Sequence, residues 1–239
     1  LDRTACLAFA TGRLGDVLGP EFAAVDAFPS RVRLPDEPLM LVDRITRIDG
    51  EPRSLQPGRV ITEHDVLAGA WYLDAGAIPT CIAVEAGQAD LFLGAFLGID
   101  FETGGHAVYR LLDAAVTFDG GLPEPGAVLR YDIRITRFFR LGDTHMFRFE
   151  FDATADGRPV MRMRDGCAGF FTSAELAAGK GLVEGTAPTP TDGAAGPLPW
   201  TFAAPPTTVE RYDERQLDAL RGGELIECFL LLRALSFRL

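Results

Sequence analysis

The sequence contains few cysteines, and their positions suggest neither a metal site nor a disulfide framework. Four cysteines lie far apart in the 239 residues without a C-x-x-C pair, at Cys6, Cys81, Cys167 and Cys228. Only three histidines are present, and they do not cluster. Zinc sites need cysteine or histidine ligands at short, regular spacings. We therefore expect no metal, reduced thiols and a cytoplasmic location.

Long apolar runs and an excess of positive charge are also missing. No apolar run approaches the roughly 20 residues that a membrane helix requires, and charges interrupt the N-terminal stretch LDRTACLAFATGRLGDVLG, which is unlike a signal peptide. The 23 lysines and arginines are outnumbered by 34 acidic residues, which gives a net charge of -11. Because nucleic-acid binding relies on a basic surface, we expect no membrane span and no nucleic-acid partner.

The composition that remains is that of a globular protein. Hydrophobic residues make up 47% of the chain and charged residues 24%. This length is enough for one large domain or two small ones, each with a core. Because the first residue is leucine rather than methionine, we expect a segment of a longer chain.

One segment is apolar on nearly every side, from Cys81 to Leu97, and Gly98 follows it. Such a pattern is typical of a helix enclosed by protein, and its length of four to five turns favours a helix over a strand. A single carboxylate, Glu85, is placed near its start. The sequence therefore predicts a long buried helix with an acid near its start.

Other segments alternate between apolar and polar residues, which predicts strands with one buried face. Strands are predicted around 39–48, 59–62, 108–118, 129–136, 147–152 and 160–164. The last three are joined by the short linkers Gly142-Asp143 and Asp156-Gly157, which predicts an antiparallel meander. A long central helix wrapped by a curved antiparallel sheet buries both patterns economically. The predicted class is α+β with the hot-dog fold.

Composition also predicts the domain boundaries. Residues 1–30 read as an N-terminal docking helix and lead-in, and residues 31–173 as the hot-dog domain. Residues 174–210 are rich in Ala, Gly, Pro and Thr, which is typical of a linker, with Trp200 as its possible anchor. Residues 211–239 contain a short predicted helix at 213–221 and end in FLLLRALSFRL, which we interpret as the truncated start of a further element.

Two stretches resemble the opening strand and the central helix of the hot-dog dehydratases of fatty acid and polyketide synthesis. They are LPDEPLMLVDRI at 34–45 and IPTCIAVEAGQADLFL at 78–93, in that order. That helix begins after a proline and carries an acid six residues later, as Pro79 and Glu85 do here. Across roughly residues 4–185, the chain most resembles the dehydratase region of bacterial polyunsaturated fatty acid synthases. The segments that carry this likeness are WYLDAGAIPTCIAVEAGQADLFLGAFLGIDF, VYRLLDAAVTF, LRYDIRIT and GCAGFFTSAELAAGKG.

The resemblance implies a reaction that needs two residues from different hot dogs. A histidine eight positions before the proline removes the C2 proton of a 3-hydroxyacyl thioester, and the helix acid protonates the departing hydroxyl. Here that position is Trp71, which has no basic lone pair. The family glycine three residues later is Asp74, and Gln88 lies one place earlier than the family glutamine. By this resemblance the acid is retained, the base is lost, and the chain is a pseudo-dehydratase half.

The remaining histidines are His64, His106 and His145, of which His64 is the best candidate for a substitute base. Glu85 is either a general acid with a raised pKa or an inherited remnant stabilised at a helix N-terminus. Cys81 is interpreted as a buried structural thiol. The arginines that alternate along the strands form either a solvated face or a docking patch for an acidic carrier protein, and they are Arg130, Arg134, Arg148, Arg162 and Arg164.

Two functions stay open from the sequence. The first is a non-catalytic dehydratase-like module of a polyunsaturated fatty acid or polyketide synthase, and the second is an active 3-hydroxyacyl carrier-protein dehydratase that uses Glu85 with His64 or a partner histidine. No motif favours a hot-dog thioesterase. We expect Trp71, Tyr72, Pro79 and Gln88 to contact substrate. The expected partners are acyl carrier protein, neighbouring synthase domains and a second hot dog in a dimer, and no cofactor beyond the phosphopantetheine-borne substrate is implied.

Overall fold

A computed structural model of the chain describes residues 1–74, 76–179 and 213–221. The chain divides into two compact units, Leu1–Gly181 and Leu182–Leu239. Of the second unit the structure describes helix α7, Glu214–Arg221, where a helix was predicted. The Asp213 carboxylate accepts a hydrogen bond of 2.8 Å from the backbone N–H of Gln216 and so caps this helix. The anchor expected at Trp200 and the FLLLRALSFRL ending lie outside the described residues.

The N-terminal region forms two short helices and a 3₁₀ helix. They are α1 (Arg3–Thr11), α2 (Leu14–Leu18) and the 3₁₀ segment Pro20–Ala27. Asp2 caps α1 by accepting a 2.9 Å hydrogen bond from the backbone N–H of Ala5. The Phe9 ring is fully buried, with its centroid 4.9 Å from that of Phe92. This region therefore shares the core of the domain that follows it.

Six antiparallel strands form one sheet in the order β1-β2-β4-β5-β6-β3. The strands are β1 (Arg44–Asp49), β2 (Gly58–Asp65), β3 (Ala107–Phe118), β4 (Val128–Leu141), β5 (Thr144–Ala155) and β6 (Arg158–Thr172). All six predicted strands exist, and the predicted β4-β5-β6 meander is confirmed. Along β4 the alternate residues Leu129, Tyr131 and Ile133 are fully buried, as period-2 patterning requires.

Two short helices replace the single long helix predicted over 81–97, namely α3 (Thr80–Glu85) and α4 (Asp90–Phe96). A third helix, α5 (Ile99–Thr103), follows Gly98. Gly98, with φ of 100°, separates α4 from α5, where the sequence predicted the helix to end. The additional interruption lies at residues 86–89, directly after Glu85. The prediction of one continuous helix over 81–97 is therefore wrong.

The physical reason for this interruption is a close approach to the sheet. The Tyr131 hydroxyl on β4 donates a 2.6 Å hydrogen bond to the Ala83 carbonyl, which a continuous helix would pair with the N–H of Gly87. That N–H instead bonds the Val84 carbonyl at 3.1 Å. A Cβ at Gly87 would lie 2.8 Å from the Phe151 ring and 3.0 Å from the Tyr131 ring, so only glycine permits this approach.

Helical segments that pack on one face of a six-stranded antiparallel sheet give an α+β molecule with the hot-dog fold, as predicted. A further helix, α6 (Ser173–Ala178), begins where the sequence predicted the start of a linker, and Thr172 and Glu175 form its capping box. Across the described ranges, we find no helix with the length and apolar character needed to span a membrane.

Candidate functional site

Trp71 occupies the position where the dehydratase resemblance implies a catalytic histidine. Its side chain is 59% exposed, and its indole N–H donates a 3.1 Å hydrogen bond to the Pro38 carbonyl. The ring packs edge-on against that of Tyr72, with centroids 5.6 Å apart. An indole held in this way has no lone pair with which to accept a substrate proton.

His64, the candidate for a substitute base, lies at the end of β2 and is almost completely buried. Its Nδ1 lies 3.0 Å from Asp43 Oδ2, and its Nε2 lies 2.8 Å from the Tyr72 hydroxyl. Both ring nitrogens therefore have a protein partner. We refer to these three residues as the Asp43–His64–Tyr72 chain.

Asp43 anchors this chain of hydrogen bonds. Burial by itself would raise its pKa, but hydrogen bonds from His64 and from the backbone N–H of Asp65, together with the positive charge of Arg3, hold the pKa below its usual value. An ionised carboxylate can only accept hydrogen bonds, so His64 donates through Nδ1. When the ring is neutral, Nε2 is then the acceptor of a hydrogen bond from the Tyr72 hydroxyl.

A cavity of about 470 Å³ lies against the Asp43–His64–Tyr72 chain. Its apolar lining includes the buried Met40 and Leu41. Leu67, at 63% exposure, and Trp71 are large exposed apolar residues of its lining. The predicted pair of Trp71 and Tyr72 thus borders one cavity, together with His64.

Glu85 is the last residue of α3 and is half-buried. Its Oε2 accepts a 2.7 Å hydrogen bond from the Gln88 side-chain amide, and burial raises the pKa of the carboxyl group. The predicted Pro79 stands just before the first turn of α3. The interpretation of Glu85 as an acid stabilised by first-turn amides is wrong, because those amides lie at the opposite end of α3.

Asp90 is a second acid in this segment and was not among the predicted site residues. It begins α4, is fully buried, and accepts a 3.0 Å hydrogen bond from the Tyr109 hydroxyl through Oδ2. Burial raises its pKa to about 7, although the Tyr109 hydrogen bond acts in the opposite direction. Within the described part of the chain, its buried Oδ1 has no hydrogen-bond partner. The sequence signal was an aspartate within an otherwise apolar segment.

The structure places the predicted residues in two groups. His64, Trp71 and Tyr72 line the 470 Å³ cavity, whereas Glu85 pairs with Gln88 beside the helix interruption. Among the described residues no hydrogen bond or ion pair joins His64 to Glu85, and Glu85 does not line that cavity. Over the described ranges, His64 and Glu85 are therefore not brought together.

The other candidates have separate positions. His106 and His145 line a different cavity of about 390 Å³, where burial and then the charge of Arg140 lower the pKa of His145. Cys81 is exposed, so the interpretation of a buried structural thiol is wrong. No group of three or more His, Cys, Asp or Glu side chains in the described ranges could hold a metal ion.

Three of the alternating arginines form ion pairs on the sheet. Arg134 lies 3.0 Å from Glu150 and also contacts Asp152, which pairs with Arg164 as well. Arg162 forms a further pair, 3.3 Å from Asp119. The face therefore mixes both signs of charge at these positions instead of presenting bare positive charge.

Comparison with known proteins shows which family the chain belongs to. The model of the FabA-like domain matches residues 34–164, more than half of the chain. The chain belongs to the FabA-like domain family. This FabA-like domain includes His64, Trp71, Glu85 and Asp90 within the matched residues.

A curated relative and two solved structures resemble this FabA-like domain. Over 180 residues the chain is 48% identical to a polyunsaturated fatty acid synthase polypeptide of Thraustochytrium sp. (strain ATCC 26185 / S-3), and the match covers 74% of this chain but only 12% of that relative. The dehydratase heterocomplex ApeI:P from Xenorhabdus doucetiae aligns with a TM-score of 0.48 and 16% identity, over 62% of this chain and 93% of that one. A hypothetical thioesterase with coenzyme A from Streptococcus pneumoniae TIGR4 aligns with a TM-score of 0.36 and 12% identity. That alignment covers 55% of this chain and 89% of the thioesterase chain.

Proposed function

We propose that this FabA-like domain is the pseudo-dehydratase half of a composite 3-hydroxyacyl carrier-protein dehydratase in a polyunsaturated fatty acid or polyketide synthase. Its sequence similarity to a polyunsaturated fatty acid synthase supports the setting. The observation that carries the proposal is Trp71, which stands at the base position with its N–H bound to the Pro38 carbonyl.

The state of His64 supports the same conclusion. A general base must reach the proton that it removes, with a free lone pair at hydrogen-bond distance. The Nε2 lone pair of His64 is directed to Tyr72, Nδ1 is directed to Asp43, and the ring is buried. Using His64 as a base would require the loss of at least one of these contacts.

Glu85 remains suited to acid chemistry. Because burial raises its pKa, it holds a proton to a higher pH than an exposed glutamate, and that proton is what a departing hydroxyl requires. The Gln88 amide orients the carboxyl group. In this proposal a second hot dog supplies the base, and acyl carrier protein delivers the thioester.

The test is hydration of a crotonyl or longer enoyl thioester by the purified chain. We expect no activity above background for the native sequence and for Glu85→Gln, and activity for Trp71→His or for a mixture with a histidine-bearing second hot dog. General acids and bases each contribute about 100-fold to 10,000-fold. Robust native activity that both Glu85→Gln and His64→Ala abolish would instead establish an active dehydratase with a relocated base.

A further inference from the structure

Two arginines lie directly opposite each other on the outer face of the sheet, the face turned away from the core. Arg137 on β4 pairs in register with Arg148 on β5. Phe147 and Phe149, the neighbours of Arg148 along β5, are buried, so Arg148 points away from the core. Arg137 shares this outer face, because the adjacent Phe138 packs on Phe147 with ring centroids 5.7 Å apart. Like charges directly opposite each other destabilise a sheet.

Neither of these guanidinium groups forms an ion pair with an acid in the described part of the chain. Arg148 donates a 3.1 Å hydrogen bond to the Asp165 carbonyl, and Arg137 lies over the Phe139 ring, 5.1 Å from its centroid. Glu150, the next outward residue of β5, is engaged by Arg134. Most arginines elsewhere on this face do contact carboxylates, namely Arg44, Arg59, Arg134, Arg162 and Arg164.

An apolar strip lies beside the two arginines on the same face. Phe139 pairs in register with Met146, and Met146 pairs with Gly169 on β6. A Cβ at Gly169 would lie 2.9 Å from the Phe171 ring, so the absence of a side chain there lets that ring cover the strip. Arg110, an exposed residue of β3, pairs with Gly169 and adds a third guanidinium group at the end of this row.

This combination of cations and aromatic rings defines the kind of partner that fits. We refer to it as the Arg–Phe surface, formed by Arg110, Arg137, Phe139, Arg148 and Phe171. Carboxylates would relieve the repulsion between the opposed arginines, and the guanidinium group matches a carboxylate in geometry. Directly opposite residues of a sheet are about 5 Å apart, and side chains one turn apart on a helix are separated by about 5–6 Å. A segment with two such acids beside an apolar side chain therefore complements this surface.

We propose that the Arg–Phe surface docks an acidic peptide segment of another protein, whose carboxylates pair with Arg137 and Arg148 and whose apolar side chain packs on Phe139. Arginine and aromatic side chains are the residue types enriched in protein–protein interfaces. The inference goes beyond the proposed function, because this surface lies outside both the 470 Å³ cavity and the Glu85–Gln88 pair. It is a binding event without any covalent step.

The test is fluorescence anisotropy with a labelled helical peptide that carries glutamates at positions i and i+4 beside a leucine. The reference peptide has glutamine in place of each glutamate. We expect the native chain to prefer the glutamate peptide, with an affinity that falls as salt is added. Arg137→Gln and Arg148→Gln should each weaken it about twofold to fivefold, as exposed charge pairs contribute. Equal affinity for the two peptides, or no binding of either, would overturn the proposal.

Arg130→Gln is the matched control for these variants. It makes the same change of charge on the same face of β4, at a position opposite Glu63 instead of an arginine. We expect it to leave the affinity for the glutamate peptide unchanged. Circular dichroism confirms that each variant is folded. If Arg130→Gln weakens the peptide as much as Arg148→Gln does, binding follows net charge alone and the Arg–Phe surface is not the site.

Arg148→Glu separates binding from stability. It replaces repulsion across the strands by attraction, so the urea midpoint of the free chain should rise by about 0.1–0.5 M. The same variant should lose its preference for the glutamate peptide. A lower midpoint, or a retained preference, would contradict the proposal.

Anionic vesicles test the alternative that the surface binds a membrane. If phosphatidylglycerol vesicles bind the native chain through Arg137 and Arg148 and the glutamate peptide does not, the proposal is wrong. None of these measurements depends on dehydratase chemistry. Failure of the proposed function in the hydration assay and failure of this inference are therefore separate results.

Discussion

Asp90 is a fully buried acid in a largely apolar segment of the sequence. A carboxyl group at 0% exposure is costly to ionise when one oxygen is bound by Tyr109 and the other has no partner among the described residues. Its proximity in sequence to Glu85 means that two acids flank the helix interruption, and their charges oppose each other. The neutral form of Asp90 is therefore favoured up to about pH 7.

Replacement of this acid should change how stability depends on pH. The unfolded chain releases the Asp90 proton near pH 4 and the folded chain near pH 7, so the folded state binds more protons between these values. The free energy of unfolding contributed by this group thus falls as the pH rises from 4 to 7 and is constant above that. Asp90→Asn, whose amide oxygen can still accept from Tyr109, should be more stable than the native chain at pH 8 by a few kcal/mol, at about 1.4 kcal/mol per pKa unit.

Urea unfolding of both proteins from pH 4 to pH 8 measures this difference. At pH 4 the two curves should nearly coincide, and the gap should widen up to pH 7. Asp16→Asn, at an exposed position of α2, provides the control and should show no such widening. A constant gap between native and Asp90→Asn across the range would show that Asp90 is ionised throughout.

At the scale of elements, the interruption between α3 and α4 is the main departure from the predicted fold. Two glycines in this region should respond in opposite ways to replacement by alanine. Gly87 faces the rings of Phe151 and Tyr131, whereas a Cβ at Gly94 would meet only an Ile99 methyl carbon at 3.8 Å. The first site is closed to a side chain and the second is open.

Gly87→Ala should therefore destabilise the protein by about 1–3 kcal/mol, because the added methyl group has to displace buried rings. Gly94→Ala, inside α4, should stabilise it by roughly 0.5–1 kcal/mol, as alanine is the better helix former. Urea denaturation measures both. If the segment were a continuous helix free of the sheet, both substitutions would stabilise.

These elements also show which features a sequence can predict. Strands β4 and β5 follow from alternation within each segment, so local pattern was enough. The interruption at Gly87 depends on two rings, Tyr131 and Phe151, that lie more than 40 residues away along the chain. Likewise, the partners of His64 are Asp43, on the segment before β1, and Tyr72, after β2, and neither pairing leaves a periodic signal. The sequence indicated Trp71 and Glu85 but not the cavity or Asp90.

At the scale of the whole molecule, the open sheet predicts association with a second hot dog. Strands β1 and β3 are its edges. Along β3 several large apolar side chains are 38% to 50% exposed, namely Val108, Leu111, Leu112 and Phe118. An apolar, unpaired edge strand is a surface on which another chain can pair.

We expect the isolated chain to form a homodimer in which β3 edges pair. Light scattering at micromolar concentration should give twice the 25.8 kDa chain mass. Leu112→Arg on β3 should shift the mass to that of a monomer, whereas Leu141→Arg, at the β4-β5 turn, should not. A monomeric mass for the native chain would contradict this expectation.

The burial of the N-terminal helices has a practical consequence for choosing where a fragment of this domain begins. The region shared with the family begins at residue 34, but the side chains of Cys6, Phe9, Leu14 and Phe22 already belong to the buried core. A fragment cut at the family boundary would leave Phe92 and Phe101 without the rings that cover them. The stretch that the family model matches is therefore shorter than the unit of folding, and a transplant of this domain has to begin at its first helix.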